Sequence, residues 1–285
     1  MSTIKGQCLP SALITGCGKG GIGHALAVEF KQRGFNVFTT VLAHESYDHL
    51  EDEEIYVFTA DVTKDTDITS LRESISSTTG GNLDVLVNCA GICYTMTATD
   101  TQINEVEKMF AVNVFGPMRM VNIFHPLLIK AKGTVVNIGS VGGIVPYVYG
   151  SSYNATKAAL HHWGNTLRVE MKPFDVKVIN IISGEVQTNI LKRDQSSLRK
   201  LPENSCYRPL EADFQNHINR KPATTTAAEY ARSVVNEVVK KKPSAWLWTG
   251  ARAGEVWFGD MFFPRTFWDW LFSREFGLDR LRSGT

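Results

Sequence analysis

The strongest constraint on the fold lies near the N-terminus. There the short apolar run Ala12-Leu13-Ile14 passes through Thr15-Gly16-Cys17-Gly18-Lys19-Gly20-Gly21-Ile22-Gly23 into an amphipathic stretch over residues 24–33. Strand, glycine-rich turn and helix in that order, followed by a second apolar strand at 36–41, make a βαβ unit. In such a unit glycines let the backbone turn tightly and approach a diphosphate, whose charge is met by the free N–H groups at the helix start. Gly16, Gly21, Ile22 and Gly23 are therefore expected to hold a dinucleotide, with Thr40 beside them at the end of the second strand.

The rest of the chain keeps the alternation. Apolar strands are expected at 55–59, 85–88, 134–139, 176–182 and 245–249, and helical stretches at 66–77, 104–121 and 226–240, with a further helix around Tyr153. At 285 residues and 43% hydrophobic content the chain can bury a full core, so a single α/β domain over 1–285 with a doubly wound parallel sheet is the expected fold. Thirty basic residues against 29 acidic ones leave a formal charge of +1, which gives no electrostatic footprint for nucleic acid. Five cysteines, at 8, 17, 89, 93 and 206, form no Cys-x-x-Cys pair. They suit a reducing compartment and give no reason to expect a metal. No 18-residue uncharged apolar run occurs, and a soluble or peripheral cytoplasmic protein is expected.

Chemistry concentrates between residues 140 and 157, SVGGIVPYVYGSSYNATK. If Tyr153 lies on a helix, Lys157 is its i+4 neighbour and both side chains leave one face. A free phenol titrates near about 10, and a nearby ammonium favours phenolate, so Lys157 is expected to lower the Tyr153 pKa and make the tyrosine a general acid/base. Ser140 ends the strand at 134–139, whose carboxyl edge would deliver its hydroxyl to the same carbonyl oxygen. A Tyr-x-x-x-Lys pair alone also fits a helix with a packed aromatic and a solvated lysine. The second signal, the glycine turn, decides between them.

Other residues extend the dinucleotide site. Asp61 could accept from the adenine amino group with Val62 against the ring, or it could cap the helix expected at 66–77. Asn88, Ala90 and Gly91 leave room for a ribose, and Val186 and Thr188 are expected at the nicotinamide, Thr188 on its carboxamide. Asn113, polar within Phe110-Ala111-Val112-Asn113-Val114-Phe115, either satisfies backbone groups in a helix kink or holds a water beside Lys157. The acidic residue of an NAD site is missing from the second strand's end, Thr39-Thr40-Val41-Leu42-Ala43, and so is an arginine for a 2′-phosphate. Lys19 and His44 are the nearest cations for that phosphate, or are solvated. With no carboxylate there to repel it, NADPH is expected over NADH.

Residues 189–222 are polar and carry prolines 202, 209 and 222, which suggests a substrate lid. Its cations Arg193, Arg199, Lys200 and Arg208 are either solvated or a phosphate site. From Trp257 to Phe276 there are nine aromatics in twenty residues, with Thr266, Asp269 and Ser273 as a polar stripe. This tail, 257–285, either packs on the domain or a second subunit, or meets a membrane interface such as endoplasmic reticulum or lipid droplet. Pro264 and the charges Asp260, Arg265 and Asp269 argue against a transmembrane span.

With the glycine turn, Asn88, Ala90 and Gly91, Asn113, Ser140 and Tyr153/Lys157 in sequence order, the chain resembles the short-chain dehydrogenase/reductase family over residues 10–190. The resemblance implies a single seven-stranded doubly wound (Rossmann-type) sheet and a catalytic set of Asn113, Ser140, Tyr153 and Lys157. It also implies a lysine that binds the nicotinamide ribose and an asparagine that anchors a proton-carrying water. The turn TGCGKGGIG and the ending around Phe262-Phe263-Pro264-Arg265 are similar to the fungal 1-acyldihydroxyacetone-phosphate reductase-like branch, whose members prefer NADPH. Leu42-Ala43 stands where that branch usually has paired arginines, and Ser183 replaces the proline usual before Gly184. The expected activity is reduction of a mainly apolar ketone, lipid-like or from a biosynthetic pathway. The competing reading is a non-redox scaffold that keeps the fold to bind.

Overall fold

A computed structural model of the protein describes residues 9–188, 199–220 and 224–284. Its centre is a seven-stranded, wholly parallel sheet in the order β3-β2-β1-β4-β5-β6-β7. The strands are β1 (Ser11–Ile14), β2 (Asn36–Val41), β3 (Tyr56–Thr59), β4 (Val85–Asn88), β5 (Thr134–Ile138), β6 (Lys177–Ser183) and β7 (Trp246–Thr249). Every residue of β1, β4 and β5 is buried, as expected of central parallel strands covered on both faces.

One face carries α1 (Ile22–Gln32) and the helix over Ala227–Val238, with Leu26 and Phe30 packed among Tyr230, Val234 and Val235. After the short α2 (Asp48–Glu51), the other face carries α3 (Asp65–Thr79), α5 (Gly116–Ala131) and α6 (Ser151–Met171), whose Ile68, Phe124 and Leu167 share a second core. The strand order reverses between β1 and β4. That switch point opens a crevice at the carboxyl ends of the strands.

Between β4 and α5 the single helix expected at 104–121 is instead α4 (Ile103–Phe110), a wide π turn (Ala111–Phe115) and then α5. Gly116 explains part of this: a β-carbon there would lie 2.9 Å from Val62 Cγ2, so the helix is pressed against the loop after β3. α5 also runs on through Pro126, a residue that usually ends a helix. Across the sheet, Asn88 Nδ2 donates to Asn137 Oδ1 (2.9 Å) and Asn137 Nδ2 to Asn180 Oδ1 (3.1 Å), a buried amide chain linking β4, β5 and β6.

Part of the expected lid, 189–198 with Arg193 and 221–222, lies outside the described residues. The described part forms α7 (Glu211–Ile218), and the chain then enters α8 (Ala227–Val238), opened by a capping box between Thr226 and Glu229. The aromatic tail folds as α9 (Ala253–Phe262) and α10 (Thr266–Glu275). Gly259 lets them cross, since a β-carbon there would sit 2.4 Å from the Trp268 ring. Trp268, Phe272 and Phe276 are buried against Tyr147, Tyr149 and Phe214, so this half of the tail packs on its own domain. The other half, Phe258, Met261, Phe262, Phe263 and Trp270, is 44–65% exposed. No helix among the described residues is long and apolar enough to cross a membrane.

Candidate active site

β5 ends at Ile138 and hands Ser140 to the edge of the crevice, while α6 opens at Ser151 and places Tyr153 in its first turn with Lys157 one turn on. The Tyr153 and Ser140 side chains are hydrogen-bonded. The Lys157 ammonium lies 5.6 Å from the Tyr153 ring centre and donates to Ile138 O at 2.9 Å. Ser140 Oγ also accepts from Gly142 N–H (3.0 Å), which fixes the turn that carries it.

Behind Ser140 stands a residue that sequence reasoning missed. His161, 3% exposed, accepts the Ser140 N–H on Nε2 at 3.2 Å. β-Carbons on Gly139 and Gly143 would come within 2.1 and 2.6 Å of its ring, so these glycines make its seat. Gly139 and Gly143 flanking Ser140 were the available signal. Burial, aided by the Lys157 charge, lowers the His161 pKa to about 3, so the ring is a neutral acceptor.

Asn113 sits in the π turn, buried. Its Oδ1 accepts from Ile92 N–H and its Nδ2 donates to Ile92 O, both at 2.9 Å, and to Thr156 Oγ1 at 3.1 Å. The backbone-satisfying alternative therefore describes its side chain.

The expected effect of Lys157 on Tyr153 needs correction. Burial pushes the phenol pKa well up, the Cys93 thiol adds to this, and the Ser140 hydrogen bond only partly offsets it. Lys157 is itself desolvated, which lowers its pKa to about 8, the Cys89 and Cys93 thiols opposing this. In so dry a pocket both groups are driven toward their neutral forms, and desolvation outweighs a cation whose ammonium is engaged by Ile138 O. Burial thus favours the protonated phenol of Tyr153.

A cleft of about 500 Å³ runs along the switch point, lined by Gly16, Lys19, Gly21, Ile22, Gly23, Thr40, Asp61, Val62, Ala90, Gly91 and Thr188 among others. The residues fit a dinucleotide. A β-carbon on Gly16 (φ +73°) would lie 2.7 Å from Ala90 Cα, and one on Gly23 2.5 Å from Gly16 O, so only glycine permits this close floor. No side chain caps the first turn of α1, whose N–H groups therefore face the cleft for a diphosphate. Thr15 Oγ1 accepts from Cys89 and Ala90 N–H at 3.0 and 3.1 Å, tying the loop after β4 to the glycine turn.

Individual positions differ from expectation. Thr40 is 2% exposed and its Oγ1 accepts from Gly16 N–H, so it supports the turn from below. Asp61 Oδ1 accepts from Thr63 N–H and Oγ1, while α3 begins only at Asp65; Asp61 is thus no cap for that helix and lines the cleft. Asn88 is a correction: its side chain is committed to the sheet through Asn137 and lines neither cavity. His44 is exposed and outside the cleft lining. Beyond the strand end where no acid was found, Glu45 lines the cleft with Lys19, its Oε2 accepting from Leu42 N–H at 3.0 Å. A carboxylate displaced by a short turn left no positional signal.

The cleft continues, through Ile22, Cys89, Gly91 and Thr188, into a second cavity of about 240 Å³ that contains Ser140, Tyr153, Lys157 and Val186. Tyr94, Tyr147, Val148 and Tyr149 make much of its wall, so it is mainly apolar. Of the lid cations named from sequence, Arg199, Lys200 and Arg208 do not line it. Arg199 stacks 4.0 Å from the Tyr94 ring centre, Arg208 pairs with Glu211 at 2.8 Å, and Arg193 lies outside the described residues. Among the described residues the cavity holds a second cation besides Lys157: Arg220, which sequence reasoning passed over at the end of the lid. Ser183, in place of the usual proline, bonds the Tyr230 hydroxyl at 2.5 Å and so joins β6 to α8.

A seven-stranded parallel sheet with a dinucleotide cleft and a Ser-Tyr-Lys group at its switch point is the architecture of a nicotinamide-dependent oxidoreductase, and the family model for short chain dehydrogenase matches residues 10–199. The chain belongs to the short-chain dehydrogenase family and is an NAD(P)-dependent oxidoreductase. It is 68% identical over 252 residues to short-chain dehydrogenase anuB of Penicillium roqueforti, covering 88% of this chain and 87% of that one. It is 60% identical over 271 residues to short-chain dehydrogenase RED1 of Pyricularia oryzae, covering 95% of each. An NADPH-dependent 1-acyldihydroxyacetone phosphate reductase of Schizosaccharomyces pombe is 36% identical over 252 residues, 87% of this chain and 85% of that one. Among solved structures, the closed form of a serine dehydrogenase complexed with NADP+ superposes with a TM-score of 0.71 at 22% identity, over 84% of this chain and 94% of that one.

Proposed function

We propose that the protein reduces a mainly apolar ketone with NADPH, Tyr153 giving the proton to the carbonyl oxygen. The observation that carries this reading is the buried, protonated Tyr153 hydrogen-bonded to Ser140 in an apolar cavity that opens into the dinucleotide cleft. When bound, the nicotinamide supplies the hydride. Ser140 orients the carbonyl oxygen through its hydroxyl, and the neutral His161 ring holds the Ser140 backbone in place. Lys157 binds the nicotinamide ribose and returns the proton to Tyr153. The Asn113 side chain is bonded to the Ile92 backbone on both sides and so fixes the π turn beside the site. In its protonated form Tyr153 is poised to give a proton to a carbonyl oxygen.

NADPH is preferred over NADH through Lys19; the NADPH-dependent relative and the NADP+-bound structural neighbour support this reading, and Glu45 limits it. The wall of tyrosines and the placement of Arg199 and Arg208 outside the cavity favour a neutral ketone, of the lipid-like or biosynthetic kind, over a phosphorylated one. The protein works in the cytoplasm, at an apolar surface reached by the exposed face of α9. The test is oxidation of NADPH and NADH by a panel of neutral and phosphorylated ketones, with Lys19→Ala alongside. The variant is expected to weaken NADPH by roughly 1–3 kcal/mol and to leave NADH nearly unchanged. Equal losses for both cofactors remove Lys19 from the 2′-phosphate, and a strong preference for acyl-dihydroxyacetone phosphate over a neutral ketone of similar size defeats the apolar assignment.

A further inference from the structure

We infer that Arg220 and Glu185, in the wall of the substrate cavity, form a specificity site for a neutral hydroxyl, so that the preferred carbonyl compound is uncharged and carries a hydroxyl away from its reacting carbon. The inference rests on the reading that Ser140 and Tyr153 take the carbonyl in this cavity.

Glu185 follows β6 and its backbone is fixed. Its N–H donates to Ala251 O (2.9 Å), and its carbonyl accepts from Ala251 N–H (3.1 Å) and Thr225 N–H (3.2 Å). A β-carbon on the preceding Gly184 would lie 2.0 Å from Ala251 O, so this corner tolerates little movement. Arg220 follows α7. Its Nη1 donates to His217 Nε2 and His217 O, both at 3.0 Å, and its guanidinium lies 5.8 Å from the Tyr147 ring centre.

The two charged groups face each other without satisfying each other. Arg220 Nη2 stands 3.6 Å from Glu185 Oε1, an ion pair too long for a direct hydrogen bond. Arg220 Nε is buried and finds no hydrogen-bond acceptor among the described residues. A hydroxyl oxygen about 2.8 Å from both Arg220 Nη2 and Glu185 Oε1 bridges this gap, accepting from the guanidinium and donating to the carboxylate, two charge-assisted bonds from one small group.

Other substituents do worse. A hydrogen or methyl in that place leaves the gap between Arg220 Nη2 and Glu185 Oε1 unbridged. A carboxylate or phosphate accepts from Arg220 but faces Glu185 at nearly the same distance, and an ammonium meets the reverse problem. His217 does not change the balance, because burial and then the Arg220 charge hold its pKa at about 3 and keep it neutral. The side chains of Arg220 and Glu185 are 26% and 27% exposed, so they discriminate by hydrogen bonding more than by a strong field.

The experiment uses the full chain saturated with NADP+ and 1-tetralones bearing hydrogen, hydroxyl, methyl or carboxylate at ring positions 5, 6 and 7. Binding is followed by calorimetry and turnover by NADPH absorbance. At one position the hydroxyl compound should bind at least about tenfold more tightly than its hydrogen and methyl counterparts, with the carboxylate weaker than either. Glu185→Gln and Arg220→Met should each cut the hydroxyl-to-hydrogen ratio to below about threefold, while Arg208→Met, outside the cavity, keeps it. A wild-type protein with no hydroxyl preference at any position, one that prefers the carboxylate, or a preference that survives both substitutions overturns the inference. Turnover without hydroxyl preference removes the hydroxyl site and leaves carbonyl reduction standing. Hydroxyl-selective binding with no NADPH oxidation by any member retains the site and removes the reductase reading.

Discussion

Lys157 is the residue whose charge the pocket controls most tightly. An ordinary lysine keeps its proton to a pH near about 10.4, whereas burial lowers this one to about 8. The sign follows: a cation whose folded pKa is depressed loses its charge as pH rises through about 8, well before an unperturbed lysine would. Affinity for the nicotinamide ribose, and kcat with it, should therefore fall above about pH 8, and Lys157→Met should remove that limb along with most of the activity. A pH profile of cofactor binding by fluorescence, flat from 7 to 10 in the wild type, would refute the assignment. The placement of Ser140, Tyr153 and Lys157 in one cavity was legible from their spacing taken together with the glycine turn, because each lies on an element whose start the sequence marks. Their acidities were not. Spacing suggested that the lysine would ease the tyrosine's ionisation, but acidity depends on how much water the fold excludes, and that is set by distant segments such as Tyr147, Tyr149 and α10.

At the scale of elements, α6 carries Tyr153 and Lys157 and is held to the sheet by a contact that sequence periodicity does not reveal. A β-carbon on Gly164 would lie 2.3 Å from Asn180 Oδ1 and 2.8 Å from Asn137 Nδ2, so the helix rests directly on the buried asparagine chain. Gly164→Ala should lower stability by about 1–3 kcal/mol through overpacking and the strained amide bonds, read as a lower urea midpoint. An unchanged or higher midpoint would show that the sheet yields at this point. The strands and most helices could be read from the sequence because apolar runs bounded by glycines mark buried parallel strands. The misread element was the 104–121 helix. Its π turn does not follow from local preference, since it is accompanied by packing of Gly116 against Val62 and by the bonds Asn113 makes to Ile92, and the continuation through Pro126 runs against local preference as well. The asparagine chain was missed for the same reason: Asn88, Asn137 and Asn180 are far apart in sequence and become neighbours only through strand register.

For the whole molecule, the tail divides its labour. Phe272 and Phe276 meet Tyr147 edge-on at 5.4 and 5.3 Å and thereby shape the substrate cavity, while Phe258, Phe262 and Phe263 form an exposed, contiguous group with ring centres 4.8 to 6.0 Å apart. Composition made the aromatic excess visible; only the fold separates the packed rings from the exposed ones. Phe258→Ser with Phe262→Ser should keep turnover of a water-soluble ketone within about twofold and abolish either flotation with phosphatidylcholine vesicles or self-association in sedimentation, since the patch does not contribute to the core. Loss of turnover in this variant would mean that the exposed face supports the cavity after all. The central claim, that Tyr153 delivers the proton in a hydride transfer to a ketone, is tested most directly with NADPH deuterated at C4 and a neutral apolar ketone. The account predicts deuterium on the carbinol carbon of the product, and Tyr153→Phe should slow its appearance by at least about a hundredfold while leaving NADPH affinity nearly intact. Product without the label, or a Tyr153→Phe enzyme that transfers deuterium at the wild-type rate, would contradict it.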